Sequence, residues 1–201
     1  MAVSTLPGLD PESLAGLSTR DRILRAAVAL FATKGYAATS LSDIEELVQV
    51  KRGALYYHIS TKQELLYMVV TQYVSDVLAV AEQAVAEGTG AERLRGLIRT
   101  HVVSVIRYRH QQAITIRDLD HLAPERAAEL REVLDRVDAL WHQALDTGAA
   151  DGTLAPTDTA VMNAIIDTAN GPWRWFDEGG TYSPEQLGER YADLWLRALA
   201  P

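Results

Sequence analysis

The sequence predicts an all-α fold, with a small three-helix unit followed by a larger helical body. Apolar residues recur at spacings of three and four along nearly all of the 201 residues, and no two-residue alternation of the kind a half-buried strand needs stands out. Serine or threonine followed three residues later by an acid or amide recurs just before the apolar runs, which is the signature of a capped helix start. A hydrophobic content of 48% can fill a sizeable core in one large domain or two unequal ones.

In chain order, residues 1–17, with Pro7, Gly8 and Pro11, read as a flexible N-terminal arm. Ser18 with Asp21 opens a helix whose Ile23, Ala26, Ala27, Leu30 and Phe31 form one apolar stripe, and Gly35 is placed to end it. Ser40 with Asp43 opens a short helix over about 41–48, Gln49 and Val50 break it, and a third helix is expected from about Lys51 to about Ile59. Ser60 with Gln63, or Thr61 with Glu64, caps a fourth that runs towards Glu87. Helices are then expected near 91–108, 111–121 and 124–147, followed by the loop "TGAADGTLAP" and helices near 157–178 and 184–199. Pro172, which has no N–H to donate, predicts a kink in the first of these last two. The expected domains are the arm, a three-helix unit over 18–62 and a body over 63–201.

Composition narrows the function classes. No run of eighteen apolar residues predicts a membrane span, the N-terminal stretch lacks the basic and apolar regions of a secretory signal, and the absence of cysteine fits a reducing compartment, so a cytoplasmic protein is expected. The net charge is −8, yet residues 18–62 carry seven basic groups against four acids, +3, which leaves −11 for the rest. Such asymmetry suggests that one region meets a polyanion.

Two helices of about eight residues, joined by a tight break and too short to stand alone, need a platform, and the first helix supplies one. This is the helix-turn-helix arrangement, whose second short helix enters the DNA major groove. Phasing puts Leu55 and Ile59 on the side facing the platform and Lys51, Ala54, Tyr57 and His58 on the other. Gly53 allows close approach, Lys51 and Arg52 reach base edges or phosphates, and Tyr57, His58 and Lys62 suit phosphates along the rim. The helix starts at Ser40 and Ser60 offer backbone N–H groups and positive dipole ends.

The stretch "RDRILRAAVALFATKGYAATSLSDIEELVQVKRGALYYHISTKQELL", residues 20–66, resembles the DNA-binding domain of the TetR family of bacterial transcriptional repressors. The likeness rests on "LF…GY" ending the first helix, "TS…I" opening the second, and "V..GALYYH…K.ELL". It implies an all-helical homodimer with three DNA-reading helices and a C-terminal body that binds a small molecule and dimerises. By this resemblance Thr39, Lys51, Arg52, Ala54, Tyr56, Tyr57, His58 and Lys62 match positions that face DNA. The chain departs from the pattern at Gln49, where glycine is usual, at Glu45, Leu47 and Val48, where small residues are usual, and at Ile59, where phenylalanine is usual. A non-glycine residue in a left-handed turn costs about 1–2 kcal/mol.

In the body, residues 101–122 interleave apolar and polar side chains as a ligand-site wall would. The candidate ligand-binding residues are His101, Val105, Tyr108, Ile114, Arg117 and His121, joined by Trp141, Met162, Ile166 and Trp173. The histidines do not follow a recurring metal spacing, and neither a metal nor a cofactor is expected. Trp175, Phe176, Tyr191 and Trp195 are the candidate dimer contacts, drawn from an apolar surface that also includes Trp173, Leu194 and Leu199. The tail "W.WF..GG..S.E.L" is similar to TetR members that govern fatty-acid, steroid or other acyl-CoA catabolism, which implies an acyl-CoA or hydrophobic carboxylate effector, with Arg107 or Arg117 as the partner of its anionic group. An aromatic drug-like effector, or no ligand at all, are the competing readings. No Ser/His/Asp order, phosphate loop or carboxylate pair marks an enzyme, so no catalytic residue is expected.

Overall fold

The computed structural model describes residues 16–201, so the expected arm over 1–17 lies outside the described residues apart from its last two positions. All regular structure among the described residues is helical. The helices are α1 Thr19–Lys34, α2 Leu41–Val48, α3 Arg52–His58, α4 Lys62–Ala84, α5 Gly90–Arg107, α6 Arg109–Asp118, α7 Pro124–Asp151, α8 Thr159–Asn170 and α9 Pro184–Ala198. Single 3-10 turns follow α6, at Leu119–His121, and α8, at Gly171–Arg174.

The caps expected at Ser18 and Ser40 form, and two further capping boxes join them. The Ser18 side chain accepts from the Asp21 N–H, and Ser40 forms a reciprocal capping box with Asp43, as do Thr89 with Glu92 and Ser183 with Gln186. Gly35 ends α1 at φ 86°, a conformation that costs glycine little and other residues more.

Three expected boundaries are corrected. The helix near 111–121 is α6, which begins at Arg109 and gives way to the 3-10 turn after Asp118. The helix expected to stop at 147 continues to Asp151. Gly148 is inside it because a Cβ there would lie 2.4 Å from the Leu154 side chain, and a Cβ on Gly90 would lie 2.0 Å from the Gly148 nitrogen. That glycine marks a backbone-to-backbone contact between α5 and α7, and the chain turns later, at Gly152 with φ 73°. Pro172 does not kink a long helix. It ends one, because α8 stops at Asn170 and the 3-10 turn takes over.

Packing divides the described residues into two compact units: residues 16–73 with His110–Glu129, and Val74–Arg109 with Leu130–Pro201. The long helices α4 and α7 contribute residues to both. In the first unit, Ile23, Ala27, Phe31, Ile44, Leu55 and Leu65 are fully buried, so the short α2 and α3 are held by apolar contact with the platform and not by their own propensity. In the second, Leu94, Leu97, Ile98, Val102 and Trp141 form the core, and α9 lies along α5 closely enough that Gly188 meets the Arg99 backbone. α4 has the length and mean hydropathy, 1.3, of a membrane span, but its Leu65, Leu66, Val69 and Val70 are buried as in a core helix.

Candidate nucleic-acid interface

α3 is anchored by one side and open on the other. Leu55 and Ile59 are 0% and 1% exposed, while Lys51, Arg52, Gly53 and Ala54 are exposed and Tyr57 is 85% exposed. Exposing a tyrosine ring to this extent forgoes roughly 1.5–3 kcal/mol of burial, so this face is not shaped by folding alone. A Cβ on Gly53 would meet nothing within 4 Å, so nothing inside the chain requires glycine there. Lys51 is the N-cap residue of α3 and makes no side-chain cap bond. The Arg52 guanidinium lies 5.5 Å from the Tyr56 ring centre, and a hydrogen bond with Tyr56 is the main cause that pushes its pKa up. The half-buried His58 meets the Tyr57 ring edge-on at 5.0 Å.

The turn that aims α3 carries the departure from the family pattern. Gln49 has φ 53° and ψ 43°, the one left-handed non-glycine residue among the described residues, and its N–H donates to the Glu45 carbonyl. Arg22 fastens the same turn to α1 by donating to the Val48 carbonyl. At the other end of α2, the Asp43 carboxylate accepts from Lys34 at 2.9 Å and from the Ser40 N–H and hydroxyl. The Lys34 bond, followed by the Ser40 bonds, lowers the Asp43 pKa to about 2.

Not all ten expected DNA-facing residues present their polar groups outwards. The Thr39 side chain is buried, and its hydroxyl donates to the Gly35 carbonyl at 2.8 Å. The Lys62 ammonium donates to the carbonyls of Tyr36, Ala37 and Thr39. The basic excess in residues 18–62 is therefore partly internal: Arg22, Lys34 and Lys62 all serve carbonyls or a carboxylate of the same unit. Of the other eight, Ser40, Lys51, Arg52, Gly53, Ala54, Tyr56 and Tyr57 are exposed and His58 is half-buried.

The residues expected to form the ligand wall are drawn from both units. Ile114, Arg117 and His121 belong to the first unit, and His101, Val105, Tyr108, Trp141, Met162, Ile166 and Trp173 to the second. Arg117 holds the buried Asp118 carboxylate and donates to the Phe31 carbonyl at 2.6 Å, while His121 lies against the Tyr36 ring at 5.0 Å. Within the second unit, His101 and Trp141 do meet, edge-on at 5.6 Å, in a crevice with Val77, Val80, Ala81, Leu97 and Thr100. The crevice is too narrow to admit a water molecule. The His101 ring bonds Asn170 at 2.8 Å, and burial lowers its pKa. Nothing in the sequence paired His101 with Asn170, sixty-nine positions away. Among the described residues, no group of three His, Asp or Glu side chains is placed to hold a metal.

The residues expected at the dimer contact belong to the second unit and differ in exposure. Trp175 is 56% and Leu194 50% exposed, Trp173, Phe176, Tyr191 and Trp195 are half-buried, and Leu199 is buried.

Residues 23–67 match the family described as bacterial regulatory proteins of the tetR family, and residues 87–199 match the tetracyclin repressor-like C-terminal domain. The HTH-type transcriptional repressor KstR2 of Mycolicibacterium smegmatis is 30% identical over 186 residues, which cover 89% of each chain. The solved ketosteroid transcriptional regulator KstR2 of Mycobacterium tuberculosis superimposes with a TM-score of 0.84 at 25% identity, over 94% of this chain and 99% of that one. AibR, solved in complex with isovaleryl coenzyme A and operator DNA, shares the fold with a TM-score of 0.77 at 22% identity, over 92% and 99% of the two chains.

Proposed function

The chain belongs to the TetR family of bacterial regulatory proteins, a helix-turn-helix transcriptional repressor related to KstR2, and on that premise we propose that it binds a partly palindromic operator as a homodimer and is released by a small effector. The observation that carries the reading is the outer face of α3. Gly53, Ala54 and Tyr57 are exposed there beside Lys51 and Arg52, and no internal contact explains the glycine. Two copies of such a face, related by a two-fold axis, meet successive major grooves. Lys51 and Arg52 read base edges, and Ser40, Tyr56, Tyr57 and His58 hold the flanking phosphates. Trp175, Phe176, Tyr191 and Trp195 contribute to the dimer contact. A repressor acts where the chromosome is, so its proposed location is the cytoplasm.

The effector we propose is an acyl-CoA or a related hydrophobic carboxylate. Its support is the relationship to KstR2 and a fold that, in AibR, holds an acyl-CoA together with DNA. Arg117 already serves Asp118 and Phe31, so Arg107, which is exposed, is the better placed of the two expected arginines for the anionic group. α4, with residues in both units, is the proposed lever, and linkage requires DNA to weaken effector binding by the factor by which effector weakens DNA binding. The closed crevice beside His101 favours a second reading, a repressor with no ligand in that place.

The test is a gel shift with the DNA flanking its own gene, repeated with isovaleryl-CoA and longer acyl-CoAs. A retarded band that the acyl-CoAs dissolve is expected. Retardation that no acyl-CoA relieves, with no heat of binding by calorimetry, discards the effector class and leaves the ligand-free reading.

A further inference from the structure

We propose that Lys62 positions the DNA-reading helices and makes no phosphate contact of its own. The proposal rests on the family's DNA binding and not on any effector. An ammonium has three N–H groups and no other donor. Those of Lys62 go to the carbonyls of Tyr36 at 2.9 Å, Thr39 at 2.8 Å and Ala37 at 3.3 Å, and the nitrogen lies 4.3 Å from the centre of the Tyr36 ring. The cation is thereby saturated on both its donor and its cation–π side.

The carbonyls it holds belong to the link between α1 and α2. Thr39 immediately precedes Ser40, the N-cap of α2, and Tyr36 immediately follows Gly35, where α1 ends. Lys62 is the first residue of α4, directly after the segment that leaves α3. One side chain therefore ties the start of α2 to the end of α3, which fixes the angle at which α3 is presented. The cradle is braced from behind: Tyr36 packs edge-on against Phe31 at 5.3 Å and lies tilted against His121 at 5.0 Å, and Gln63 donates to the His121 carbonyl. Thr39 belongs to the same device, with its hydroxyl turned inwards to the Gly35 carbonyl.

A phosphate ligand and a positioning lysine leave different marks. Removing a single lysine–phosphate pairing makes the slope of log affinity against log salt shallower by about 0.9. Lys62→Met, assayed by fluorescence anisotropy on operator DNA at a temperature where circular dichroism shows it folded, is expected to bind about tenfold more weakly or worse with the wild-type slope, because a charge-assisted bond network is gone. Lys62→Arg is expected to be impaired as well, because a planar guanidinium does not fit three carbonyls arranged around one nitrogen, whereas it satisfies a phosphate readily. A shallower slope in Lys62→Met, or full affinity in Lys62→Arg, overturns the proposal. Wild-type affinity in both variants overturns it too, since Lys62 would then be a stability residue only. A measurement without variants gives the same decision. In the 15N-lysine-labelled wild-type protein the Lys62 ammonium signal is expected at the same shift before and after operator is added. A shift with a scalar coupling to 31P refutes the assignment.

Discussion

The outer face of α3 and the crevice around His101 are built on opposite plans. The α3 face comes from consecutive residues, Lys51 to His58, and what marks it is the absence of internal work for Gly53, Ala54 and Tyr57 among the described residues. The crevice is assembled from α4, α5 and α7, and its polar residue His101 is already engaged by Asn170 and Trp141. The contrast teaches that, in this molecule, an outward-facing site is recognised by side chains the fold does not need. Inside, the fold takes up the polar groups first.

The contrast is broken most severely at the interior glycines. A methyl group on Gly90 would collide with the Gly148 backbone, so Gly90→Ala is expected to destabilise the protein by about 3 kcal/mol or to prevent folding, measured by urea denaturation. Near-wild-type stability would show that the α5–α7 contact relaxes without cost.

The turn comes next. Gln49→Gly removes a left-handed non-glycine residue and is expected to raise stability by about 1 kcal/mol. A loss on the same urea assay would mean that the Gln49 side chain supplies something the backbone does not.

Gly53→Ala sharpens the comparison most. With open space at that position, the fold is expected to gain about 0.5–1 kcal/mol from a better helix former. Operator affinity is expected to fall, because the added methyl group stands where the groove wall must come close. If affinity stayed unchanged, Gly53 would not be at the contact.

The smallest effect concerns acid. Burial lowers the His101 pKa below its usual 6.5, so the folded state prefers the neutral ring. The stability this gives is complete above 6.5 and drains away as pH falls below it, as the unfolded chain takes up the proton first. The melting temperature of wild type is therefore expected to drop more steeply than that of His101→Gln between about pH 7 and pH 5. Parallel curves would mean that His101 is not buried in solution.

Local rules made the N-terminal unit legible. Ser18, Ser40 and Gly35 act where they signal, and Leu55 and Ile59 point inwards as their phase requires. The errors share one cause. The helix expected to stop at 147 runs on to Asp151 because sequence reports residue type, while the role of Gly148 comes from a backbone brought near from elsewhere in the chain, and the carbonyls gathered around Lys62 are equally invisible to it. His101 with Asn170, and Arg117 with Phe31, are likewise long-range pairings that no spacing announces. Pro172 had its physical effect read correctly and its extent misjudged: a missing N–H after Gly171 terminates α8 where a kink was expected.

The central claim is that Lys51 and Arg52 give the outer face of α3 its sequence preference. Anisotropy titrations of wild type and of the Lys51→Ala/Arg52→Ala variant, on the operator and on scrambled DNA of equal length, test it directly. At about 1–3 kcal/mol for each base-reading side chain removed, the variant is predicted to bind the operator about 100-fold more weakly and to bind the two DNAs almost alike. A variant that still prefers the operator by the wild-type ratio would contradict the account.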